Sequence, residues 1–523
     1  MKNIMIGKVY RTVANALNSR TLSFLLSIAA LVYFTYLSLA SNASEGGGDA
    51  IVHYRIARYS WRYPELFMDM WGKPVFTALS SLFAQFGFNN MKIFNVLVAV
   101  TTGILGFGIL KRSGSPLSGL YFLLLFFTPI YFVLIPSTLT EPLFGLCLMT
   151  GIYLFQRNRY TLSALVIAFL PFIRNEGFLV FPFYAIALIY VKEWKRIPLL
   201  FLGYIFFGAV GFLSSGDLFW ITHHMPYLKY GGQDYAYPNG TFWYYPDLLP
   251  DLYGKVLYYG GWIGTIVLLA FALRYRKKSE LLTILLVLLP LITYILAHSL
   301  IYWKGPGVAH GLHRLMAPVA PLAGLIAIDG ISKLIHLLRT KSNALALGFM
   351  GVAFAMILLG TSAPYRQYRV PLPLGPQETL ITEAAAWMKS AGLDNALLCY
   401  HHPYVCHALD KDPFDPEQSR ELFAAGIPVK DLVPAGAVYV WDSHFAPVER
   451  SLPLDTIAAC HCLELLKTFP ADTSIHYPNE FTLHIFRRVP GRSVSGGAID
   501  LNIRLYLQRQ WYMFPHDAGL PGR

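Results

Sequence analysis

TLSFLLSIAALVYFTYLSLA (21–40) runs directly into SNASEGGGDAIVHYRIARY (41–59), and the change of character between these stretches decides how the chain is read. The first is twenty residues without a charge. At about 1.5 Å rise per residue, that length crosses a hydrocarbon core of roughly 30 Å. It is too long for the apolar region of a secretory signal and has no convincing cleavage site, so it reads as a retained first span. The second stretch is glycine-rich and places the carboxylate of Asp49 just past that span.

Working outward, comparable apolar runs recur at 91–110, 117–135, 139–155, 162–173, 178–191, 197–213, 256–273, 281–301, 315–338 and 344–360. About eleven spans are therefore expected, two of them short. The composition agrees: of 523 residues, 55% are hydrophobic and only 14% charged, which excludes an ordinary soluble globule. The formal net charge of +12 does not indicate nucleic acid, because the basic residues punctuate the apolar runs instead of gathering on one surface.

Cytoplasmic loops are enriched in Lys and Arg, which gives a test of orientation. Basic groups recur at every second connection: Lys2, Lys8, Arg11 and Arg20; Lys111 and Arg112; Arg157 and Arg159; Lys192, Lys195 and Arg196; Arg274, Arg276, Lys277 and Lys278; Arg339 and Lys341. The alternation works if 162–191, interrupted by Arg174, Asn175 and Glu176, counts as two crossings. It then places the C-terminal part outside. Segments 51–63 and 75–86 have the look of amphipathic helices lying along the interface.

After prolines 371, 373 and 376 the pattern becomes that of a small α/β domain, with a helix expected over 378–390 and strands at 396–400, 437–441, 463–469 and 481–486. The expected division is a transmembrane domain over 1–361, a linker over 362–375 and an extracytoplasmic α/β domain over 376–523. Four of the five cysteines lie in that last part. CYHHPYVCH (399–407) and CHC (460–462) lack the CxxC spacing of a strong zinc signal, so disulfides or free thiols are preferred, with the pairing of Cys399, Cys406, Cys460 and Cys462 left open.

The first outer loop holds the sharpest chemical signal: Gly46-Gly47-Gly48-Asp49-Ala50, then His53, Tyr54 and Ala57, then Asp69-Met70-Trp71-Gly72-Lys73-Pro74. GGGDAIVHYRIARY and DMWGKPVF resemble the first loop of the GT-C glycosyltransferases, particularly the protein O-mannosyltransferase and aminoarabinose-transferase branch. In those enzymes an acidic residue soon after the first span is followed by a Tyr/Ala helix and a Lys-Pro element. TEPLF (140–144), RNEG (174–177) and HGLHRLMAPVAPLAG (310–324) extend the resemblance more weakly. RNEG replaces the commoner Arg-Pro-Glu-Gly pattern, and Lys73 is followed by a single proline.

The resemblance implies a polytopic α-helical membrane enzyme using a polyprenyl-phosphate sugar donor and a protein hydroxyl, glycan or lipid as acceptor. Asp49 would be the general base, worth roughly 10²–10⁴-fold, with inversion by single displacement. A capping role for Asp49 is the plain alternative. A departing phosphate needs positive charge where negative charge grows. Lys73 is the first candidate, by its place in the Lys-Pro element, against a snorkelling surface lysine. Arg174 is the second, as an ionisable residue at membrane depth, against simple pairing with Glu176. His310, His313 and Arg314, at the outer end of a late span, complete the phosphate candidates.

His53, Tyr54, Asp69, Glu141 and Glu176 are supporting candidates. Asp69, Glu141 and His53 offer ligand types for a divalent metal, but no spacing enforces it, and Glu141 could equally cap its helix. A metal is thus optional. The expected location is a bacterial inner membrane with the site on the periplasmic side. The competing reading is a transporter or flippase for a lipid-linked saccharide, which calls for internal repeats and broken helices at the midplane. The bland one is a membrane anchor for a binding module.

Overall fold

The computed structural model describes residues 2–225, 239–305, 311–422, 428–460, 462–470 and 481–489. They form two compact units: Met1–Glu45 with Lys73–Leu372, and Gly46–Gly72 with Pro373 onward. The expected division kept 46–72 with the membrane helices; its contacts instead group it with the C-terminal residues.

The first unit is a bundle of apolar helices, and the chain is an integral membrane protein. Among the described residues seven helices are long and apolar enough to cross a membrane: Arg20–Ala40, Phe88–Arg112, Trp194–Ser215, Gly254–Tyr275, Lys278–Lys304, His313–Lys341 and Asn343–Gln367. All eleven expected runs are helical, but four are shorter or broken. The run 117–135 splits into Leu120–Phe126 and Pro129–Leu134, because Pro129 supplies no N–H to continue the first helix. Glu141–Gln156 has 16 residues. Tyr160–Phe172 and Asn175–Tyr190 are two short apolar segments, parted where Arg174 takes an extended conformation (φ −154°, ψ 138°).

Helix Pro74–Ala84 is amphipathic in the reverse sense. It buries Thr77, Ser80 and Ser81 while exposing Leu79 and Leu82, as a face against lipid requires. A helix over Lys2–Leu17, absent from the sequence reading, precedes the first span. The end of that first span is clamped. Lys92 is fully buried, and its Nζ donates to the carbonyls of Ser41 (2.9 Å) and Ala43 (2.7 Å). Leu372 is tied to the same turn: its N–H donates to Ser41 Oγ at 2.9 Å and its carbonyl accepts from Asn42 N–H at 3.1 Å.

In the second unit, β1 (Leu398–Tyr400), β2 (Ser419–Glu421), β3 (Val438–Asp442), β4 (Leu463–Phe469) and β5 (Leu483–Arg488) form one sheet in the order β2-β1-β3-β5-β4. β1 is parallel to β2 and β3; β5 is antiparallel to β3 and β4. Helix Pro376–Ser390 covers one face with Ile381, Ala384, Ala385 and Met388. Cys460 and Cys462 form a disulfide, while Cys399 and Cys406 are buried free thiols.

Helix Gly47–Tyr59 is the correction to the interfacial reading of 51–63. Residues Ala50 to Ala57 are all buried, so no apolar face is left over for lipid. Arg55, 3% exposed, donates to Tyr400 Oη (2.7 Å) and the Pro403 carbonyl (3.3 Å) and lies 3.8 Å from Glu421 Oε2. A guanidinium that deep persists only when paired.

Candidate functional site

Several charged groups of the membrane unit converge where its helices break or begin. Glu141 opens helix Glu141–Gln156, where a carboxylate is favoured by the helix dipole. It is 1% exposed, and it does not serve as a cap: its Oε1 lies 2.7 Å from Arg174 Nη1 and 3.5 Å from Arg314 Nε. The loop before it is held by Asn95, whose amide donates to the carbonyls of Ser137 (2.9 Å) and Leu139 (2.8 Å).

Arg174 sits in the break between two short apolar helices and is bracketed. Its Nη1 reaches Glu141 and Thr140 Oγ1 (3.2 Å), and its Nη2 reaches Glu176 Oε1 at 2.9 Å. Gly177 explains the end of RNEG: a Cβ there would stand 2.5 Å from the Leu170 carbonyl carbon and the Pro171 nitrogen. Only glycine allows the chain to fold back this closely.

Lys73 joins the same group through Asn175, its Nζ donating to Oδ1 at 3.0 Å. At 6% exposed it is no snorkelling surface lysine. Its backbone has φ +67°, a region a lysine before proline rarely takes, and such strain survives only where surrounding contacts fix it. Glu45, the last residue before the loop, adds a third carboxylate. Burial holds it above the ordinary range, Arg314 pulls it back, and Glu141 pushes it further up.

The structure thus brings together Lys73, Glu141, Arg174, Glu176 and Arg314. His313 is exposed and turned to Tyr244, its Nε2 3.3 Å from the hydroxyl. His310 lies outside the described residues. Asp49, His53, Tyr54 and Asp69 belong to the second unit. Asp49 is on the first turn of helix Gly47–Tyr59, which starts from Gly46 at φ 90°. His53 stacks on Trp71 (4.8 Å, 28°), the Tyr54 hydroxyl accepts from Arg58 (2.6 Å), and Asp69 Oδ1 accepts from Gly72 N–H. Among the described residues no three His, Cys, Asp or Glu side chains gather as a metal site. The Glu141 carboxylate is occupied by two guanidinium groups instead.

The sequence reading missed Glu45, Asn175 and His298. His298 is buried in helix Leu289–Lys304, with Nε2 3.3 Å from Glu176 Oε1. The rule that singled out Arg174, an ionisable group within an apolar run, applies to His298 equally well.

No protein-family model and no curated protein matches the sequence. Solved structures do match. ArnT from Cupriavidus metallidurans bound to undecaprenyl phosphate superposes over 92% of this chain and 100% of its own, with a TM-score of 0.54 and 12% identity. The apo state of that ArnT covers 88% and 97%, with a TM-score of 0.52 and 13% identity. The apo oligosaccharyltransferase of Archaeoglobus fulgidus covers 85% and 73%, at a TM-score of 0.48 and 12% identity. The chain therefore shares its overall fold with that ArnT.

Proposed function

We propose that the chain is a membrane glycosyltransferase that moves a sugar from a polyprenyl-phosphate donor to an acceptor hydroxyl at the extracytoplasmic face. The observation that carries this reading is the convergence of Lys73, Arg174 and Arg314, from three separate parts of the sequence, on the carboxylates and amide of Glu141, Glu176 and Asn175. The ArnT structure with the same fold was solved with undecaprenyl phosphate, a ligand of the class this cluster suits.

The chemistry follows from charge. A sugar leaving a phosphate leaves negative charge on the phosphate oxygens, and guanidinium and ammonium groups fixed before the reaction stabilise that charge without reorganising. Arg174 would offer a planar fork and Lys73 a compact point charge. In this reading Asp49 takes the proton of the acceptor hydroxyl as it attacks the anomeric carbon, and the product is inverted. A strong base is not needed where C–O cleavage runs ahead of proton transfer.

The test is incubation of the purified chain in liposomes with labelled polyprenyl-phosphate sugars and a panel of protein, glycan and lipid acceptors. The expected result is labelled acceptor together with free polyprenyl phosphate. Movement of intact donor across the bilayer without chemical change would establish the flippase reading instead.

A further inference from the structure

We propose that His298 is a positioning residue, acting through Glu176 to fix the guanidinium of Arg174. This rests on the donor-phosphate reading of the Arg174 cluster and adds a component that neither the motifs nor the comparisons assign.

Helix Leu289–Lys304 is apolar, yet it buries a histidine at 4% exposure and, one turn earlier, a tyrosine at 1%. A buried imidazole needs a polar partner. The Nε2 of His298 makes no hydrogen bond among the described residues, and the carboxylate it faces is Glu176, Oε1 at 3.3 Å. At 3.3 Å the two atoms are within hydrogen-bonding distance, short only of good alignment. The ring is packed against Tyr294 (centroids 4.7 Å apart, 60°) and Tyr245 (6.1 Å, 66°).

The purpose of such an anchor is visible from the other end. Glu176 stands on the short 3-10 helix Asn175–Val180, a weak element that follows the extended residue Arg174. On its own it would let Arg174 swing. Helix Leu289–Lys304 is regular, so His298 ties a mobile-prone carboxylate to a rigid frame. The fork of Arg174 is then held from both sides, by Glu141 at 2.7 Å and Glu176 at 2.9 Å. A phosphate is recognised by the plane of that fork as well as its charge, so losing orientation weakens binding even though the charge remains.

The experiment measures undecaprenyl phosphate binding and transfer kinetics of the full chain in detergent for H298M, H298Q, E176Q, the double variant H298M/E176Q, and R174A. Methionine keeps volume without a donor; glutamine returns an N–H near the Nε2 position. H298M is expected to weaken carrier binding and raise the donor KM by about tenfold while leaving kcat within about threefold, the pattern of lost binding rather than lost transition-state contact. H298Q should recover most of the affinity. The H298M and E176Q effects should overlap instead of adding. Parental affinity in H298M, no recovery in H298Q, or strict additivity in the double variant overturns the proposal. If H298M does not fold, H298Q with parental affinity beside a weakened E176Q supports it, and H298Q as weak as E176Q overturns it. R174A separates the two levels: if it binds carrier like the parent, the donor-phosphate reading fails, whatever His298 does.

Discussion

Each unit buries an arginine, and they are buried differently. Arg55 in the second unit is 3% exposed and held largely by neutral oxygens, Tyr400 Oη and the Pro403 carbonyl, with Glu421 at 3.8 Å. Arg174 in the membrane unit keeps 11% of its side chain accessible and lies between two carboxylates at 2.7 and 2.9 Å, with Arg314 sharing one of them. The first arrangement seals a charge inside a scaffold. The second holds a guanidinium in a fixed orientation between two carboxylates, the arrangement on which the proposed donor-phosphate site rests.

The comparison breaks most visibly by mutation. Removing one partner of a buried charged pair costs about 3–5 kcal/mol, so Arg55→Ala should strip the second unit of most of its stability, read as a lowered thermal midpoint and protease cutting after residue 373. A midpoint unchanged from the parent would make Arg55 expendable. Arg174→Lys should do the reverse: charge is kept, the chain folds, and transfer falls by roughly 10²-fold as the fork is lost. Comparable activity in the two proteins would show that the fork geometry is irrelevant.

A further effect concerns pH. Burial, reinforced by His444, pushes His402 down to about 3. The folded chain therefore refuses a proton that the unfolded chain accepts below about pH 6.5. Stability contributed by the neutral ring is complete above that pH and is lost as pH falls from about 6.5 toward 3, at about 1.4 kcal/mol per unit. Denaturant melts of the parent and His402→Asn across this range should show a difference that shrinks with that slope. A constant difference would mean the ring is protonated in the fold.

Legibility tracked the range of the interactions involved. The spans Arg20–Ala40 and Phe88–Arg112 were plain because burial in lipid is written in local composition. The break at Pro129 was missed, with 117–135 taken as one span, although the proline itself signals it. Strand Ser419–Glu421 was not readable: it is three residues long, polar, and paired only with β1. The membership of 46–72 was hidden for a deeper reason, since Arg55 finds its partners at Tyr400, Pro403 and Glu421, more than three hundred positions away. Within the cluster, Lys73, Arg174 and Arg314 were named beforehand, whereas His298 was passed over although it stands alone in an apolar run.

The most direct test of the account is single-turnover transfer by Asp49→Asn saturated with donor, compared with its affinity for undecaprenyl phosphate. With the carrier on the cationic cluster and the acceptor proton taken by Asp49, carrier affinity should stay within about threefold of the parent and transfer should slow at least about 10²-fold, the scale of a lost general base. Transfer at near-parental rate would contradict it, as would a loss of carrier binding that accounts for the whole defect.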